Sequence, residues 1–400
     1  MLSRRARNSA AASTMIDCLL PRLLVAGRSL LPIVQGGMGI GVSAHRLAGT
    51  VAREGAIGTI SSIDLRRHHP DLLESTRHGR DKAAIDAANL VALDREIRAA
   101  RTLSAGRGLV AVNVMKAVSQ HAHLVRQACE SGADAIVMGA GLPLDLPELT
   151  AGHPDVALIP ILSEERGVRA VVRKWMRLGR LPAAIVIEHP RYAAGHLGSP
   201  RIEDVADPRF EFDRVLGEVT KVLDDLGTGP IPLVAAGGIH THAQILRLLD
   251  AGWSAVQIGT PFAVTVEGDA HPNFKRVLAD ASSADIVTFL STAGLPARAV
   301  RTPWLTRYLA READLRAKAC PGSAVCVLGI ECLTHCGLKD GNPAMGQFCI
   351  ALRLAAALAG DVDEGLFFRG SEPLPFGREI RPVRDLLRLL LTGDAGADRN

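Results

Sequence analysis

Apolar residues fall along the chain in short runs, separated by longer stretches in which they recur at helical spacing. Runs of strand length bounded by Gly, Pro or polar residues predict buried strands, and recurrence every three or four residues predicts helices. The predicted strands are Ile33–Gln35, Ala56–Ile60, Val110–Val114, Ala135–Met138, Val156–Ile161, Ala183–Ile187, Leu233–Ala236 and Ala255–Ile258. Helices are predicted over Ala44–Glu54 (Ser43 its N-cap, Gly55 its stop), Leu90–Leu103, His121–Ser131, Phe212–Leu226 and Thr241–Ala251. A further helix follows the fifth strand and runs to Met176. Strands alternating with helices pair in parallel, and eight of them close into an α/β barrel, the (β/α)8 or TIM-barrel architecture. The polar stretch from Arg66 to Asp86 reads as a solvated loop over one barrel face.

Most predicted strands end in glycine or polar residues, at the edge that carries the chemistry in such barrels. These ends are Gly36-Gly37-Met38-Gly39, Asn113-Val114-Met115, Gly139-Ala140-Gly141, Glu188-His189, Gly237-Gly238 after Ala236, and Gly259-Thr260. The last two belong to consecutive strands, and clustered turn amides there suit a phosphate. Asn113 and Gln257 lie near strand ends, where side-chain amides can hydrogen-bond the carbonyl and nitrogen edge of a flat ring. Flavin mononucleotide (FMN) fits both features; a phosphorylated substrate fits the grip but leaves the other glycines unexplained. His196, within Ala194-Gly195-His196-Leu197-Gly198 after the sixth strand, is the catalytic candidate, because imidazole exchanges protons near neutrality. Glu188, His189 and Tyr192 are rim residues or hydrogen-bond partners.

Composition narrows the class. Of 400 residues, 48% are hydrophobic, enough for a large core, and the net charge of +4 gives no strong pull toward polyanions. Aromatics at 4% supply no stacking platform for single-stranded nucleic acid, and no apolar run reaches membrane-spanning length. The basic, small-residue start MLSRRARNSAAAS has no apolar secretion core, so residues 1–28 read as a disordered tail, with Met15 as an alternative translation start. The barrel is assigned to residues 29–300 and a mostly helical, cysteine-containing extension to 301–400. Seven cysteines in so long a chain do not make an extracellular disulfide scaffold, which points to a cytoplasmic enzyme. Cys320, Cys326, Cys332, Cys336 and Cys349 are read either as ligands of zinc or an iron–sulfur cluster or as reduced, partly buried thiols. Asp385–Leu391 is amphipathic and suited to pack on the barrel or on a second copy in a homodimer.

The segments PIVQGGMGIGVS, VNVM, AGHLG, VAAGGI and VQIGTPF followed by HPNFK resemble the nitronate monooxygenase family, formerly the 2-nitropropane dioxygenases. That family shares its fold with flavin-dependent enoyl-ACP reductases. The resemblance covers about residues 29–300 and implies a TIM barrel binding FMN non-covalently. It implies the phosphate on Gly237, Gly238, Gly259 and Thr260, with Gly37, Met38, Asn113 and Gly195 near the ring. Gly36, Glu188, Ala236 and Gln257 complete the expected cofactor contacts. His196 matches the histidine that takes a proton from a neutral nitroalkane. Ala194 replaces the first of two glycines common in the family, and Glu188-His189-Pro190-Arg191-Tyr192 replaces a small-residue stretch. The implied reaction turns nitronate and O2 into a carbonyl compound and nitrite, without NAD(P)H. The alternatives are an NAD(P)H-dependent flavin reductase of enoyl thioesters or quinones, and a flavin-binding module without turnover.

Overall fold

The structure is a computed structural model that describes residues 16, 18–76, 81–322 and 326–395. Eight parallel strands close a barrel: β1 (Ile33–Gln35), β2 (Ile57–Ser61), β3 (Leu109–Met115), β4 (Ala135–Gly139), β5 (Ala157–Leu162), β6 (Ile185–Glu188), β7 (Leu233–Ala236) and β8 (Ala255–Ile258). Each predicted run contributes one strand, in the expected order. Alternate residues along each strand point to opposite faces. Val34, Ile57, Ala111, Val137, Ile159, Val186 and Val234 fill the barrel interior, while Ile33, Ile60, Val112, Ile136, Leu158, Ile187 and Ala235 face the helices. Burial on both faces is why these strands read as continuous apolar runs. The β1–β2 ladder is short, and the buried Gln35 amide supplements it, donating to Thr59 O at 3.1 Å and accepting from Thr59 N at 2.8 Å.

Several expectations are corrected. Of the predicted tail, residues 1–15 and 17 lie outside the described residues, but Leu23–Val25 and Arg28–Leu30 form an antiparallel hairpin. Its Leu23, Val25 and Leu30 join the interior cluster, so the hairpin belongs to the barrel core alongside the strands themselves. Ser43 does not cap the first helix, which runs from His45 to Arg53. Its opening amides are taken by distant carboxylates instead. Asp269 accepts from Ala44 N at 2.7 Å and Leu47 N at 3.1 Å, and Glu96 accepts from His45 N at 2.8 Å. Ser43 Oγ accepts from Met38 N at 2.9 Å and ties the loop after β1.

Residues 77–80 of the stretch Arg66–Asp86 lie outside the described residues, and its described part is more ordered than a solvated loop. It holds a 3-10 turn (Leu65–His68), a helix (Pro70–Ser75) and the start of the Lys82–Ser104 helix, which Asp81 caps. Arg66 is buried and ion-paired with Asp64 at 3.0 Å. The extension packs on the barrel. Just ahead of it, Ile286–Leu290 pairs with Pro296–Val300, which in turn pairs with Gly195–His196, in a small antiparallel sheet over the barrel mouth. The helix Val383–Thr392 places Val383, Leu386, Leu387, Leu390 and Leu391 in the barrel's outer core, so its apolar face is spent there and not on a second copy.

Candidate active site

One cavity of about 970 Å³ opens at the C-terminal edge of the barrel, under the antiparallel sheet and the extension. Every position singled out for the cofactor lines it. Gly36, Gly37 and Met38 come from the loop after β1, and Asn113 from the end of β3. Glu188 comes from the end of β6, Ala236, Gly237 and Gly238 from β7, Gln257, Gly259 and Thr260 from β8, and Gly195 with His196 from the mouth sheet.

The glycines are dictated by close approach and backbone conformation. A Cβ on Gly37 would fall 2.3 Å from Asn113 Cβ, so only glycine lets the β1 loop pass the amide of Asn113. Gly237 and Gly238 have φ of +104° and +75°, the left-handed region in which side chains are strained. Among the described residues no backbone acceptor meets the amides of Gly237, Gly238, Gly259 or Thr260, which leaves a patch of donors at two neighbouring strand ends. Thr260 Oγ1 accepts from Gly370 N at 3.1 Å, so its own proton is free to donate.

His196 is held by the mouth sheet, where it pairs with Ala297, and its Nε2 lies 3.0 Å from Ser291 Oγ. Ser291 Oγ also accepts from Ala293 N at 3.2 Å. The Phe368 ring stands 6.1 Å from the imidazole. Enclosure by protein pushes the imidazole down to about 4, so at physiological pH it is neutral and its unprotonated nitrogen can accept a proton. Glu188 behaves oppositely. Burial raises its carboxyl to about 7, and among the described residues it has no hydrogen-bond partner. The Gln257 side chain, buried at the cavity wall, is likewise without a protein partner among them. Unpaired polar groups on a cavity wall are costly without a polar ligand.

The five C-terminal cysteines do not form a metal centre. Among the described residues no three His, Cys, Asp or Glu side chains gather as a metal site. Cys326, Cys332, Cys336 and Cys349 lie near enough to feel one another's charge, and Cys332 and Cys336 pack against one apolar cluster. Cys320 is exposed, Cys336 Sγ lies 3.4 Å from Thr292 Oγ1, and Cys332 lines the cavity with its thiol pushed up to about 12 by burial. The expectation of zinc or an iron–sulfur cluster at Cys320, Cys326, Cys332, Cys336 and Cys349 is therefore withdrawn. Five cysteines in one short stretch suggested ligation, but the loops carrying them serve the cavity roof. Sequence reasoning missed Ser291 and Phe368, which lie far along the chain from the histidine they touch.

The sequence model of the family described as Nitronate monooxygenase matches residues 26–393. The chain belongs to this family. The match reaches through the extension, beyond the segment in which the motifs lie. A probable nitronate monooxygenase of Bacillus subtilis is 24% identical over 293 residues, 68% of this chain and 77% of the relative. Among solved structures, FabK from Thermotoga maritima superposes with a TM-score of 0.62 at 23% identity, covering 90% of this chain and 91% of its own. A nitroalkane oxidase from Streptomyces ansochromogenes gives 0.59 at 22% identity, covering 90% and 94%. Those two likenesses establish the barrel fold. As a member of the nitronate monooxygenase family the protein is a flavin-dependent oxidoreductase. Among the described residues no helix is long and apolar enough to cross a membrane.

Proposed function

We propose that the protein binds FMN in this cavity and oxidises alkyl nitronates, and the nitroalkanes that yield them, with O2 to a carbonyl compound and nitrite. The observation that carries the reading is a neutral, cavity-facing His196 in the same chamber as the unpaired amides of two adjacent strand ends. Those amides, from Gly237, Gly238, Gly259 and Thr260, would hold the phosphate together with the Thr260 hydroxyl. The ring would lie against Gly36, Gly37, Met38, Gly195 and Ala236, with Asn113, Gln257 and Glu188 meeting its polar groups or those of the sugar chain. Bound flavin supplies the redox chemistry, passing electrons from nitronate to dioxygen.

The chain's own residues do the rest. The imidazole of His196 takes the α-proton of a neutral nitroalkane, the C–H electron pair moving into the nitro group to leave the nitronate. Ser291 fixes the ring through Nε2. The roof over the mouth excludes water from the anion. The test uses protein loaded with FMN and kept free of oxygen. Ethyl nitronate is expected to bleach the flavin without NAD(P)H; bleaching by NADH alone would instead favour a reductase of enoyl thioesters or quinones. His196→Asn should lower kcat/KM for neutral nitroethane by about 10²- to 10⁴-fold and that for preformed nitronate far less. Equal losses on both would remove the histidine from the proton step.

A further inference from the structure

Beside His196 the cavity continues under the extension, whose lining residues are apolar apart from the carboxylate of Glu372. The helix Ile350–Leu358 turns one face to it: Ile350, Ala351, Leu354 and Ala357, at the i, i+1, i+4 and i+7 positions of a single stripe. With a rise of about 1.5 Å per residue this stripe is a wall about 10 Å long. Leu333 and Leu366 also line the cavity and are packed with Ile350 in one apolar cluster that includes Trp304 and Phe348, so the wall is backed by core. Val118 pairs with Leu333 and brings the loop after β3 to the same chamber. Phe368 joins this region to the imidazole. The Cys332 thiol, pushed up to about 12, adds no charge near neutrality. Alanine at 351 and 357 leaves the stripe open where larger side chains would fill it.

We propose that the helix Ile350–Leu358 and Leu333 form a channel for the hydrocarbon tail of the substrate, selecting nitronates of hexyl to octyl chain over ethyl nitronate. The anionic head then sits by His196 and the tail lies along the helix stripe. This rests on the nitronate reading above; the channel itself follows from wall chemistry alone.

Two measurements test it. Straight-chain carboxylates share the planar anionic head of a nitronate but are not oxidised, so butanoate and octanoate can be titrated into the FMN-loaded protein by calorimetry. Removing one methylene from water is worth about fourfold in affinity, so octanoate should bind roughly two-hundredfold tighter. The kcat/KM of ethyl, butyl, hexyl and octyl nitronate should climb along the same series. Leu354→Gln, which keeps the size but adds an amide, and Ala351→Leu, which fills the stripe, should each flatten both series by tenfold or more between the ends. Flat series in the wild-type protein would overturn the channel. So would steep series that both folded variants retain, as judged by far-UV circular dichroism. If no nitronate is turned over but the carboxylate series is steep, the reaction assignment falls and the channel stands.

Discussion

His196 and Glu188 share one cavity and titrate in opposite senses. Folding depresses the imidazole from 6.5 to about 4. Between those values the unfolded chain holds the extra proton, so this group makes stability rise with pH. Folding raises the Glu188 carboxyl from 4.5 to about 7. There the folded chain holds the extra proton, so stability falls as pH rises through that window. Each effect is worth roughly 3 kcal/mol across its range, and the two oppose one another over most of it. Urea unfolding of the ligand-free protein should thus vary little from pH 4.5 to 6.5. Glu188→Gln should expose the rise and His196→Gln the fall; a steep slope in the wild type that neither variant changes would refute the pairing. Gly37 offers a steric test. Gly37→Ala must displace the Asn113 side chain, 2.3 Å from the new methyl carbon. FMN affinity should drop at least about tenfold, the equivalent of one lost hydrogen bond, measured by fluorescence quenching on titration.

At the scale of elements, the helix His45–Arg53 shows how far its end groups reach. A serine just ahead of it is the obvious cap, yet Asp269 and Glu96 fill that role from far along the chain. Asp269→Ala leaves the amides of Ala44 and Leu47 without their acceptor and should cost about 2 kcal/mol in chemical unfolding. Ser43→Ala should cost the helix little and act on the Met38 loop, a difference visible as weakened FMN binding with near-normal stability. Equal stability losses from both would return the cap to Ser43. The mouth sheet makes the same point for strands. Gly195–His196 is two residues long, too short for any period, and exists because Pro296–Val300 offers it a partner.

At the scale of the whole molecule, the extension is roof and buttress. Leu333, Ile350, Leu354 and Phe368 close the cavity, while the helix Val383–Thr392 covers the barrel's outer core. Ending the chain after Pro382 uncovers the surface that Val383, Leu386, Leu387, Leu390 and Leu391 now bury. Returning that apolar area to water should cost on the order of 5 kcal/mol or more. The truncated chain should lose solubility or melt well below the intact protein in calorimetry. Unchanged melting would mean that the helix is a passive appendage.

The sequence alone determined the eight strands, their order and the edge that bears the site. Strands buried on both faces write themselves as apolar runs, and βα turns that meet a ligand write themselves as glycine. His196 was legible for a related reason, an imidazole in a glycine-containing segment just past the end of a strand. Only the tertiary structure decided what sat across from these groups: Ser291 on the histidine, Asp269 on the first helix, the hairpin of Leu23–Leu30 against the barrel's interior cluster. Such partners meet through folding of remote segments, and nothing in either segment's local pattern encodes the other. The cysteines mark the same boundary from the opposite side. Their crowding into one short stretch suggested ligation, but whether neighbouring sulfurs close on a metal is fixed by the paths of the loops that carry them.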